Sequence, residues 1–199
     1  MQYKITPEEA HRAKVPHHIF NFNLLVTHLF AAYTILEIAH GNMAAFLLIP
    51  TVSTLVILFI CTRVKVKRET DTWFVAANWL VACRRGKILI GAYIAAIALM
   101  SIYLLIDWLF PGGMRMNNFS SDGGSTNLVQ VIFMYFSAFI VFVTVLFTFL
   151  QTGISVFEAG QGILDDKVEK RFPRKDGDNE ALGHAEEESV PDEVRQRHH

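Results

Sequence analysis

The run "ILIGAYIAAIALMSIYLLI", Ile88 to Ile106, carries no charge, and only Tyr93, Ser101 and Tyr103 in it have polar side chains. A helix on the surface of a soluble bundle needs a polar residue every three or four positions to face water, and this run does not supply them. It is long enough to cross a bilayer, because about 20 residues rising about 1.5 Å each span a hydrocarbon core of about 30 Å. Uncharged runs also cover Ile19 to Leu36, Ile38 to Thr62 and Gly123 to Phe157. The expectation is an all-α, integral membrane four-helix bundle, with spans at about residues 19–40, 44–62, 87–110 and 126–151.

Composition points the same way. The residues AVILMFWYC make up 52% of the chain and charged residues 19%, against about 25% charged in soluble domains. The net charge of −1 implies no nucleic-acid partner. A polar segment, residues 1–18, precedes the first span without a signal-peptide cleavage pattern, so that span is expected to be retained. Cys61 and Cys83 fall at the two ends of the loop between spans two and three. Two such cysteines build neither a disulfide framework nor a metal-ligand spacing.

Lysine and arginine in short loops mark the cytoplasmic side. The stretch from Arg63 to Lys87 holds Arg63, Lys65, Lys67, Arg68, Arg84, Arg85 and Lys87 against Glu69 and Asp71, whereas His40 to Met43 has none and Pro111 to Thr126 only Arg115. Both termini and the middle loop are therefore expected in the cytoplasm. Within that loop "TDTWFVAANWLVACRRGK", Thr70 to Lys87, places Trp73, Phe74, Ala77, Leu80 and Val81 on one helical face. It reads as an interfacial amphipathic helix over about 71–85, capped by Thr70 or Asp71, with Trp79 off the face as a candidate docking residue. Pro50 is expected to kink span two or relax its first turns.

Span four has no proline before Pro173, so a helical extension, residues 152–172, is expected as a cytoplasmic amphipathic helix with Ile154, Phe157, Leu164 and Val168 on one side. Residues 173–199 are acidic and lack aromatics, the composition of a disordered tail.

Polar residues at membrane depth are the site candidates. Gln130, Ser137, Thr144, Thr148, Gln151 and Ser155 share one face of span four at about 100° per residue. Ordinary helix packing accounts for such a face through hydroxyls bonded to their own carbonyls; the functional alternative is a face that meets a partner or a hydrated path. Glu37 and His40 in span one and Asp107 in span three could form a proton or cation cluster, although their depth near the span ends suits solvation. His28, near mid-membrane, is a haem-ligand candidate only if a second axial ligand stands at its depth, and no other span offers one. Tyr93, Ala96, Met100, Tyr103 and Asp107 read as a packing seam, and His17 and His18 as an interfacial anchor.

These readings define a multi-pass membrane protein, most simply of a bacterial inner membrane. It is expected to act as a non-enzymatic accessory or scaffolding subunit without a cofactor. Its partners would be the lipid bilayer, other membrane proteins, and a cytoplasmic protein reached through residues 152–199; self-association is compatible with so small a bundle. The alternatives are a small channel or transporter subunit using Glu37, His40 and Asp107, and a haem-binding redox subunit using His28.

Overall fold

The computed structural model describes residues 1–38, 43–111, 115–117, 125–175 and 181–182. Its short strands are β1 (Gln2–Tyr3), β2 (Arg115–Asn117), β3 (Ser125–Asn127) and β4 (Ala181–Leu182), paired antiparallel as β1 with β4 and β2 with β3. The rest is helical. Helix α1 (Pro7–Leu24) widens into a π-helical stretch, Leu25–Ala31, and returns to α-helix in α2 (Ala32–Ile38). Then follow α3 (Met43–Phe46), α4 (Leu48–Thr70), α5 (Trp73–Leu109), α6 (Leu128–Gly160) and α7 (Asp166–Arg171).

Helices α4, α5 and α6 are each long and apolar enough to cross a membrane. Their apolar side chains point away from the chain as often as into it: Trp108 is 76% exposed and Phe139 61%. Such a surface suits hydrocarbon and not water, and the chain is a transmembrane protein. The first expected span is helical but not a single α-helix, because the π-helical stretch divides it.

Two of the expected helices need correction. The segment 71–85 is not a separate interfacial helix, since α5 runs unbroken from Trp73 to Leu109. Every residue from Trp73 to Trp79 is buried, and a helix apolar all round packs inside protein instead of lying on a surface. Nor does α6 continue to residue 172. It stops at Gly160, and Gly162 adopts φ +73°, a left-handed conformation that suits glycine. The chain turns there, so Leu164 and Val168 are buried while Ile154 and Phe157 stay exposed.

The residues cluster into two compact units. One comprises Met1–Phe22, Val56–Cys83 and Thr152–His199, the other Asn23–Leu55 and Arg84–Gln151.

In the first unit, Thr6 and Glu9 form a capping box at the start of α1. The Glu9 amide donates to Thr6 Oγ1 at 3.2 Å and the Thr6 amide to Glu9 Oε2 at 3.4 Å, the reciprocal pattern that satisfies free first-turn amides. Thr72 donates to the other Glu9 oxygen, which ties the turn before α5 to α1. Asp71 holds that turn, accepting from the Thr72 amide at 3.0 Å, Arg12 Nε at 3.1 Å and Lys67 Nζ at 3.2 Å. It orders the α4–α5 connection in place of the expected cap, and Thr70 bonds back to the Val66 carbonyl.

Cys61 and Cys83 are joined by a disulfide between α4 and α5, which corrects the expectation that they form none. Ten positions before the Asp71–Thr72 turn and eleven after it, the two sulfurs meet because the helices run back alongside one another.

An aromatic cluster fills the rest of this unit. The Tyr3 ring lies 5.2 Å from Trp73 and 5.9 Å from Phe74, and Trp73 Nε1 donates to the Phe172 carbonyl at 2.8 Å. Arg68 stands over the Phe172 ring at 4.2 Å, a cation–π contact. The Tyr3 hydroxyl donates to Glu169 at 3.0 Å, and burial together with that carboxylate pushes its pKa up to about 12.

A Cβ at Gly162 would come within 2.5 Å of the Tyr3 carbonyl oxygen, whereas one at Gly153, inside α6, meets nothing within 4 Å. Thermal unfolding in detergent is expected to show Gly162→Ala destabilised by about 1–3 kcal/mol. Gly153→Ala should gain about 0.5–1 kcal/mol.

Candidate functional site

In the second unit, polar side chains converge at the π-helical stretch. Asn23 Nδ2 donates to Ser53 Oγ of α4 at 2.9 Å. The Tyr93 hydroxyl lies 2.7 Å from His28 Nε2, with the two rings stacked at 5.9 Å and 9°. His28 Nδ1 lies 2.8 Å from Thr27 Oγ1, and Thr27 donates to the Asn23 carbonyl at 2.7 Å. The bonds from Tyr93 through His28 and Thr27 end on the Asn23 carbonyl.

Proton counting sets their direction. A threonine hydroxyl has one proton, and Thr27 gives it to Asn23. The proton between Thr27 and His28 therefore belongs to Nδ1, which leaves a neutral imidazole with a lone pair on Nε2. Tyr93 donates into that lone pair. The opposite direction would cost Thr27 one of its two partners, so the stated direction makes the most bonds. The π-helical geometry fits this demand, because Thr27 takes up a main-chain carbonyl with its side chain, a competition that loosens the α-helical ladder.

Beside His28 and Tyr93 opens a cleft of about 590 Å³ within the same unit. Leu29, Phe46, Pro50, Ile97, Val141 and Phe149 contribute to its walls, and its polar lining is His28, Tyr93 and Ser137. Ser137 Oγ donates to the Ala96 carbonyl at 3.4 Å. The volume lies in the range of small-molecule sites, which are apolar with a few placed polar groups.

The residues singled out from the sequence are distributed differently. The polar face of span four turns inward, with Ser137, Thr148 and Ser155 buried. Thr144 bonds the Ile140 carbonyl, Thr148 the Thr144 carbonyl and Ser155 the Glu158 carboxylate. Gln151 is half-buried and Gln130 is exposed.

Glu37 and Asp107 are both exposed, and Asp107 accepts from Asn127 at 3.4 Å. His40 lies outside the described residues. Among the described residues no group of three or more His, Cys, Asp or Glu side chains gathers as a metal site would require.

Trp79 is 4% exposed, so nothing docks on it without opening the first unit. His17 is not at an interface: it is fully buried, with Nε2 3.0 Å from Asn78 Oδ1. Asn23, Ser53 and Thr27 were not singled out from the sequence, and Tyr93 was placed only in a packing seam. The available signal was the spacing of Asn23 and Thr27 four apart beside His28, on a span otherwise apolar at that depth.

No family model, curated protein or solved structure matches the chain, and the site is read from its own geometry.

Nitrogen NMR of the labelled protein is expected to find the His28 proton on Nδ1 and none on Nε2; a protonated Nε2 reverses the direction of the bonds. Tyr93→Phe should lower stability by about 0.6–1.7 kcal/mol, the range for hydrogen bonds inside membrane proteins.

Proposed function

We propose that this protein crosses the bilayer four times and binds a lipid-soluble small molecule in the cleft headed by His28 and Tyr93, acting as a non-enzymatic membrane subunit. The cleft carries this reading: its volume, apolar walls and few polar groups at membrane depth are what a lipid-soluble ligand needs. A haem role is disfavoured by the same geometry, because an axial histidine must offer iron a ring nitrogen and both of those on His28 are engaged. The cation-path reading loses support from Glu37 and Asp107, which face outward.

A second reading, the accessory subunit of a larger membrane complex, is favoured by Phe136, Phe139 and Phe142. They are exposed on α6 and line a shallow groove with Val131 and Ile132, a surface that another apolar helix could cover.

Two features pull the orientation in opposite directions. The basic residues around the α4–α5 turn favour the cytoplasmic side, whereas the Cys61–Cys83 bond favours an oxidising one. Charge acts while the chain inserts, before the helices have packed and the sulfurs have met, so we place this turn and both termini in the cytoplasm, most simply at a bacterial inner membrane.

Native mass spectrometry from mild detergent should show a small apolar molecule on the protein that is lost from Ala138→Phe, which narrows the cleft. A wild-type spectrum free of such a molecule removes the ligand reading, and a co-purifying chain in that spectrum supports the accessory one. Fluorescent-protein fusions at Met1 and after Lys175 should report the same side of the membrane. Opposite sides would mean three crossings.

A further inference from the structure

We propose that the cleft selects molecules whose polar group is a hydrogen-bond donor, namely a hydroxyl on a hydrocarbon body such as a long-chain alcohol, an alkylphenol or a hydroquinone. The inference rests on the ligand-binding reading above and names the chemical class that site would take.

The protons at the lining decide the class. Tyr93 gives its proton to His28 Nε2, His28 gives its own to Thr27, and Ser137 gives its own to the Ala96 carbonyl. Every polar hydrogen at the cleft is thereby committed within the chain. What faces a ligand is lone pairs, on Ser137 Oγ and the Tyr93 oxygen.

A ligand with only acceptors, such as a quinone, an ester or an ether, brings lone pairs against lone pairs. It could gain a donor by turning Ser137 away from the Ala96 carbonyl, which gives up a 3.4 Å bond, or by taking Tyr93 from His28, which would leave Nε2 unpaired, a loss that hydrocarbon surroundings do not repair. A hydroxyl finds an acceptor waiting and disturbs nothing. Amines and carboxylates fit less well, because the lining holds no Asp, Glu, Lys or Arg and an uncompensated charge at membrane depth is costly.

The test compares para-decylphenol with para-decylanisole, nearly equal in size, of which only the phenol donates. Binding to the full-length protein in lipid nanodiscs is measured by equilibrium dialysis against protein-free nanodiscs. The phenol should bind about three- to tenfold more tightly, the range of one neutral hydrogen bond. In Ser137→Ala, which removes one waiting acceptor, that preference should shrink; in Tyr93→Phe, which frees the Nε2 lone pair of His28 at the cleft, it should persist or rise.

Retained anisole binding also shows that a variant is folded. If one variant binds neither probe, the other carries the comparison. Equal binding of the two probes to the wild type, or tighter binding of the anisole, overturns the donor selectivity and leaves the ligand site standing. Failure of both probes to exceed the protein-free control removes the site itself.

Discussion

Hydrocarbon offers no hydrogen bonds, so a polar group at membrane depth must find its partner inside the chain. Around the π-helical stretch of the second unit, polar side chains pair with one another. Asn23, Thr27, His28, Ser53 and Tyr93 come from α1, the π-helical stretch, α4 and α5, and each makes a hydrogen bond to another of the group. Tyr93, His28 and Thr27 pass their protons in one direction that ends on the Asn23 carbonyl, a condition under which neighbouring hydrogen bonds strengthen one another. The imidazole consequently stays neutral and its tautomer is set. A cleft whose polar corner is committed in this way keeps its apolar character up to the edge of His28.

The first unit is held differently. Its helix ends carry the free amides and carbonyls that every helix leaves, and short acidic and hydroxyl side chains satisfy them: Glu9 and Thr6 at α1, Asp71 at the α4–α5 turn. Around these, Tyr3, Trp73, Phe74 and Phe172 supply a compact aromatic core. This explains the dense aromatic and basic run from Thr70 to Lys87. Trp73 and Phe74 are core residues and Asp71 is a three-way acceptor, while Arg68, on the helix before, covers the Phe172 ring.

Much of the architecture was legible in the uncharged runs, since α4, α5 and α6 need only length and apolarity to be recognised as membrane helices. The amphipathic reading of residues 71–85 failed for a definite reason. The face containing Trp73, Phe74 and Ala77 is apolar, but Ala76, Asn78 and Trp79 opposite it are also buried, and a one-sided moment cannot show that protein covers both sides. The break at Gly162 was visible as a glycine but not as a turn, because its left-handed conformation is demanded by the close approach of Tyr3 from the far end of the chain. Ser137, Thr148 and Ser155 of span four are buried, an inward direction that depends on what packs against the helix.

By itself, the sequence determined that the chain enters a membrane, roughly where its helices run, and that few polar groups lie at depth. These follow from local composition, which sets the transfer free energy of each segment whatever its neighbours. Only the tertiary structure decided that Cys61 meets Cys83, that Trp79 is enclosed, and that His28 is answered by Tyr93 from a helix 65 positions away. Such pairings depend on distances between segments that no local pattern encodes. In hydrocarbon, which partner a polar group finds determines what it has left to offer a ligand.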